Sequence, residues 1–80
     1  MKVPRDLSGT RLVSGLCRRW GYRELRQTGS HIILRTEIPT GQTLPVPAHK
    51  QLRVGTLNAI LRLVANHKGV SVEDVLETIL

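Results

Sequence analysis

The dipeptide Gly29-Ser30 is the tightest constraint on how this chain folds. It separates two strand-like runs, 22–28 and 31–37. Glycine at the first central position of a two-residue loop is what a type II′ hairpin turn requires. So short a loop also sets the register. Thr28 then faces His31, Gln27 faces Ile32, Arg26 faces Ile33, Leu25 faces Leu34 and Glu24 faces Arg35. Opposed residues share a face, and faces alternate along each strand. Leu25, Ile32 and Leu34 are therefore expected to point inward, and Arg26, His31, Ile33 and Arg35 to point to solvent. Ile33 is an unexplained apolar residue in that otherwise polar patch, and a partner-binding surface is one reading of it.

Helical spacing brackets the hairpin. Over 8–20, Leu12, Val13, Leu16, Cys17 and Trp20 fall on one stripe, with Ser8 as N-cap. Arg18 and Arg19 suit the C-terminal dipole, and Gly21 suits the left-handed position beyond it. Cys17 sits on the apolar stripe and reads as a small core residue rather than a reactive thiol. Residues 38–43 form a polar loop around Pro39 and Gly41. The short strand 44–47 holds two prolines, which confines it to a sheet edge. Simple continuation of the meander brings Lys50 close to His31, with Arg53 shortly after. A second helix spans 56–67, with Leu57, Ile60, Leu61 and Val64 as its stripe and Lys68-Gly69 as its stop. A third opens at Ser71, with Asp74 at the capping-box position and Val70 and Val75 as a staple. Val72, Val75, Leu76 and Ile79 form its apolar face. The order α-β-β-β-α-α predicts an α+β fold, a three-stranded antiparallel sheet with helices on one face. Residues 1–80 make a single domain.

Charge narrows the function. Twelve Lys and Arg stand against six Asp and Glu, a net +6 in 80 residues. Glu73, Asp74 and Glu77 lie in the last eight residues, so the first seventy carry twelve cations against three acids, a net +9. Such a surface attracts phosphate backbones. There is no Phe, one Trp and one Tyr. Modules that stack single-stranded bases need more aromatics than that, which favours recognition by charge and shape. A chain this short builds one small core, so an active site is expected open on the surface. The lone Cys17 excludes an internal disulfide and suits a reducing cytosol. No apolar run reaches the length of a membrane span, and the first six residues lack the apolar core of a signal peptide. The expectation is a cytoplasmic protein without a membrane partner.

His31, His49, His67 and Cys17 match no zinc spacing. No phosphate-binding glycine loop and no G-x-S-x-G motif occurs. No metal and no cofactor is expected, and acid–base chemistry by histidine remains. At the turn edge, a neutral His31 imidazole can take the proton of a ribose 2′-OH. Arg26, Arg35 or Lys50 would stabilise the charge growing on the phosphate. Proton transfer of this kind is worth about 10²–10⁴-fold, which suits a slow nuclease. An exposed hairpin histidine is more often inert, and the residues alone leave that alternative open. His49 reads either as a second acid–base group or as a loop residue. His67, in the last turn of the second helix, complements the dipole as a cap.

In order and spacing, Gly29-Ser30-His31, Val46-Pro47-Ala48-His49-Lys50, and Gly55-Thr56-Leu57 ahead of Ile60-Leu61-Arg62 resemble the HicA family. These are the YcfA-like mRNA interferase toxins of type II toxin–antitoxin systems. Leu7-Ser8-Gly9 and Arg26-Gln27-Thr28 are similar too, and the resemblance runs over nearly the whole chain. It implies a double-stranded-RNA-binding-domain-like (dsRBD-like) α-β-β-β-α fold with an additional C-terminal helix. It also implies metal-independent endoribonuclease cleavage of mRNA, His31 as the catalytic residue, and a HicB-like antitoxin that masks the active surface. It gives no comparable role to His49 or to a particular arginine. RNA binding by Arg26, Arg35, Lys50 and Arg53 rests on charge and position. The acidic last helix is expected to pack as structure or to meet the partner. Two rival readings are a non-catalytic RNA-binding domain that docks RNA on its basic sheet face, and a partner-binding protein whose nuclease activity has decayed.

Overall fold

The computed structural model describes residue 4 and residues 6–80. The N-terminal stretch read above against a signal peptide therefore lies almost wholly outside the described residues. The elements are α1 (Gly9–Arg19), β1 (Arg23–Thr28), β2 (His31–Thr36), β3 (Gln42–Pro47), α2 (Val54–Lys68) and α3 (Val72–Ile79). The strands form one antiparallel sheet in the order β1-β2-β3. This is the expected α+β order, α-β-β-β-α with a further C-terminal helix.

Helix α1 starts where Ser8 accepts a hydrogen bond from the Arg11 N–H. Leu12, Val13 and Leu16 are buried, and Cys17 and Trp20 pack against the same core. Burial, and secondarily the nearby Glu24 carboxylate, push the Cys17 thiol up. That disfavours the thiolate a reactive cysteine needs. At the hairpin, Gly29 has φ +59, and among the described residues none other than glycine has a positive φ. One left-handed residue at the first central position is the type II′ pattern.

Pairing from the turn runs as expected through Thr28–His31, Gln27–Ile32 and Arg26–Ile33. It then shifts. Glu24 stands opposite Leu34 and Arg23 opposite Arg35, with a bulge between Glu24 and Arg26. Leu25 is the extra residue, and it is 43% exposed instead of lying over the core. A bulge inserts one unpaired residue and moves everything beyond it by one position. The expected Leu25–Leu34 and Glu24–Arg35 pairs are therefore replaced, and Arg23 takes the outward place meant for Glu24.

The second connection corrects another expectation. A loop over 38–43 would set Glu37 opposite Leu44 and His31 opposite Lys50. The observed connection is residues 37–41, with Thr36 opposite Gln42 and His31 opposite Pro47. The two registers differ by three residues, and an odd slip turns every side chain to the other face. Only the observed register buries Leu44 and Val46 beside Ile32 and Leu34. Pro47, not Lys50, is thus the neighbour of His31. The Ala48 N–H donates to the Ser30 carbonyl at 2.6 Å. Alternation from that bond makes His31–Pro47 and Ile33–Pro45 non-hydrogen-bonded pairs. There each proline nitrogen faces away from β2, so the missing donors cost no bond to it, as an edge strand allows.

Helix α2 buries Leu57, Ile60, Leu61, Val64 and Ala65. It begins at Val54, two residues before the expected start, and ends where Gly69 turns left-handed. In α3, the Ser71 hydroxyl accepts from the Asp74 N–H while the Asp74 carboxylate accepts from the Ser71 N–H. Val75, Leu76 and Ile79 close the core, and α3 packs on α1 and α2. The Trp20 indole N–H donates to Thr78 Oγ1 at 2.7 Å. The last turn of α2 holds the β2–β3 connection. Lys68 Nζ donates to Thr36 Oγ1 at 2.9 Å and to the Ile38 carbonyl, 4.9 Å from the centre of the Tyr22 ring. His67 Nε2 donates to the Thr40 carbonyl at 2.8 Å, so its side chain anchors the connection to the last turn of α2. Among the described residues, no helix is long and apolar enough to cross a membrane.

The start of α1 is pressed against the end of β3. The Gly9 N–H donates to the His49 carbonyl at 2.9 Å, and a Cβ on Gly9 would lie 1.8 Å from the Pro47 carbonyl oxygen. Gly9→Ala is expected to destabilise the fold by about 1–3 kcal/mol in urea unfolding, as overpacking does. Gly55→Ala is the control. A Cβ there meets nothing within 4 Å, and the exchange is expected to leave stability unchanged or raise it by up to about 1 kcal/mol. Equal losses at both positions would contradict this account of the α1–β3 contact.

Candidate active site

The outward face of the sheet carries three rows of residues. Thr28, His31 and Pro47 form the first, Arg26, Ile33 and Pro45 the second, and Arg23, Arg35 and Thr43 the third. His31 is exposed at the first position of the central strand. Backbone bonds hold it on both sides, to β1 across the tight turn and to β3 through the neighbouring Ser30–Ala48 bond. Ile33 is half-buried between Arg26 and Pro45. With Pro45 and Pro47 on the edge strand β3 it makes an apolar seam along one side of the face, beside the arginines of β1 and β2.

The cations on this face differ in their commitments. Arg26 is exposed and lies one row from His31. Arg35 is held within the protein. Its Nε donates to Glu37 Oε2 at 2.7 Å, its Nη2 to Glu37 Oε1 at 3.3 Å and its Nη1 to Thr43 Oγ1 at 2.9 Å. Gly41 leaves the room, since a Cβ there would lie 2.2 Å from Arg35 Nη2. The hydrogen bond and charge of Glu37 raise the guanidinium pKa further. Arg23 Nη2 lies 3.8 Å from Glu37 Oε2, so two arginines share one carboxylate and the row keeps a net positive charge. Nothing in the sequence of β1 marks the bulge that delivers Arg23, and the sequence reading missed it for that reason.

Lys50 and Arg53 are exposed on the 48–53 segment that leads into α2, beyond the end of β3. Arg53 is the N-cap residue of α2, and its side chain makes no capping bond. His49 is exposed just past the Ser30–Ala48 bond. His31, Arg26 and Arg35 thus share one face as expected, and His49 lies at its edge. His67 is at the far end of α2 and takes no part. Among the described residues, no group of three or more His, Cys, Asp or Glu could hold a metal ion.

The family model described as HicA toxin of bacterial toxin-antitoxin matches residues 13–65. The chain belongs to the HicA toxin family. The match enters within α1, covers the whole sheet and leaves within α2. It contains Gly29-Ser30-His31, the 46–50 segment and Gly55-Thr56-Leu57. It is shorter than the nearly full-length resemblance read from the sequence, because Leu7-Ser8-Gly9 and all of α3 lie outside it. No curated protein and no solved structure matches the chain. As a HicA chain it is the toxin of a toxin–antitoxin system, and its counterpart is an antitoxin.

The Arg35–Glu37 pair has a pH signature. The hydrogen bond from Arg35 is the leading cause that holds the Glu37 carboxyl below its ordinary range. A carboxylate lowered on folding contributes stability above its unfolded pKa, and that contribution is lost as pH falls through the lowered value. The pair is exposed, so the effect is small. Wild type and Glu37→Gln are expected to differ in urea midpoint at neutral pH and to converge in acid below the carboxylate range. A difference that persists unchanged in acid would contradict this.

Proposed function

We propose that this HicA toxin is a metal-independent endoribonuclease that cleaves mRNA, with His31 as its general acid/base. The observation that carries the reading is the position of His31. An exposed imidazole is fixed at the start of the central strand, on the sheet face opposite the core, one row from the exposed Arg26. Bound there, a ribose 2′-OH gives its proton to His31 and attacks the adjacent phosphorus. Arg26 offers a hydrogen-bonding cation to the phosphate as charge builds on it. Lys50 and Arg53 hold flanking phosphates from the segment beside β3. Arg35, tied to Glu37, keeps the far row rigid and basic more than it binds RNA itself.

The aromatic residues support recognition by backbone and shape. Tyr22 is buried, and its hydroxyl donates to Gln42 Oε1. Burial pushes that phenol up to about 12. Trp20 packs on the core and bonds Thr78. Neither offers a free ring for stacking a base. A HicB-like antitoxin neutralises the toxin by covering the same face, with the Ile33–Pro45–Pro47 seam as its apolar contact.

His31→Ala tests the reading, with cleavage measured in excess EDTA alongside growth arrest. Cleavage is expected to fall by at least about 10²-fold and toxicity to disappear, while RNA affinity stays within about threefold. Unchanged toxicity would contradict the enzyme reading and favour an RNA-docking domain. Loss of wild-type cleavage in EDTA would contradict metal independence.

A further inference from the structure

A second histidine lies close to the first, on a backbone that is pinned as firmly. The Ala48 N–H to Ser30 carbonyl bond carries the β2–β3 ladder one residue beyond His31–Pro47. On that register His49 comes opposite Gly29 and is the diagonal neighbour of His31. The alternation of faces agrees. Val46 is buried, Pro47 shares the face of His31, Ala48 packs on the core, and His49 is exposed. Diagonal neighbours on one sheet face stand roughly 7–8 Å apart, within reach of long side chains. Two imidazoles at that separation can bracket a phosphate. Gly29, between them, has no side chain, and the space a Cβ would enter is open.

His49 is also held from the other side. Its carbonyl accepts the Gly9 N–H at 2.9 Å, at the point where α1 presses on Pro47. The backbone of His49 makes this anchor, and its imidazole has no hydrogen-bond partner among the described residues.

We propose that His49 is the second proton-transfer group of the site, the general acid that protonates the departing 5′-oxygen as His31 takes the 2′ proton. The inference rests on the endoribonuclease reading above. The bond from the 2′-oxygen to phosphorus forms as the bond from phosphorus to the 5′-oxygen breaks, with its electron pair going to the 5′-oxygen. The 2′ proton ends on His31, and the imidazolium of His49 supplies the proton that the 5′-oxygen gains. The products are a 2′,3′-cyclic phosphate and a 5′-hydroxyl. Exchange with water resets both rings, and no further reactant is needed.

A change of leaving group isolates this role. Single-turnover cleavage is measured on an RNA oligonucleotide that spans a mapped cleavage point, and on the same oligonucleotide with sulfur in place of the 5′-bridging oxygen. A thiolate departs without needing a proton. His49→Ala is expected to slow the all-oxygen substrate by about 10²–10⁴-fold, yet to cleave the sulfur substrate within about threefold of wild type. His31→Ala is expected to be slow on both. His49→Asn is expected to repeat the His49→Ala pattern, which secures the result if the alanine variant fails to fold. Equal losses on both substrates, or no loss on either, would overturn the role of His49 while leaving the nuclease reading intact. No cleavage by the wild type of either substrate would overturn the nuclease reading, and this inference with it.

Discussion

The central strand β2 is covered on one face only. Ile32, Leu34 and Thr36 lie under the helices, while His31, Ile33 and Arg35 alternate with them on the open side. A strand has a period of two, so no register can move the first set without moving the second. Each buried Ile, Leu or Val contributes roughly 1.5–3 kcal/mol. An odd slip of β3 would turn Leu44 and Val46 out of the core, and an odd slip of β2 would do the same to Ile32 and Leu34. The free energy that fixes the core therefore fixes the place of His31 as well. The site needs no cleft of its own, because the register of the sheet positions it.

The charges are sorted in the same way. Glu73, Asp74 and Glu77 belong to α3, which packs on α1 and α2 in the helical layer. Glu37, just past the end of β2, is shared by Arg23 and Arg35 of the open face. The bulge at Leu25 strengthens this pattern, because it exchanges an outward Glu24 for an outward Arg23. A HicA toxin built this way offers phosphate a face that is positive across the sheet and apolar along the Ile33–Pro45–Pro47 seam. Both properties serve the proposed roles, one toward RNA and the other toward an antitoxin.

The hairpin was legible because its information is local. Gly29 accepts the left-handed conformation that the turn needs, and the first three pairs follow from it. The helix limits were legible through Ser8, Ser71 with Asp74, and Gly69. Two features were not. The bulge replaces a regular pair in a stretch, Arg23 to Arg26, with no glycine to mark it, and Leu25 has the look of a core residue. The β2–β3 register depends on loop length, and residues 37–41 are held by Lys68 and His67 from the far end of α2. Such long-range contacts leave no trace in the local sequence. For the site, His31, Arg26 and Arg35 were placed correctly on one face. The ion pair that occupies Arg35 and the three-residue offset of Lys50 emerged only from the fold.

The central claim is that this open sheet face cleaves RNA by using the ribose itself as nucleophile. It is tested most directly by replacing the 2′-OH with hydrogen at a mapped cleavage point and following the products of the wild-type protein. The account predicts that cleavage at that linkage stops, and that the unmodified strand yields a 2′,3′-cyclic phosphate end. Continued cleavage of the 2′-deoxy linkage, or a 3′-hydroxyl end on the product, would contradict it.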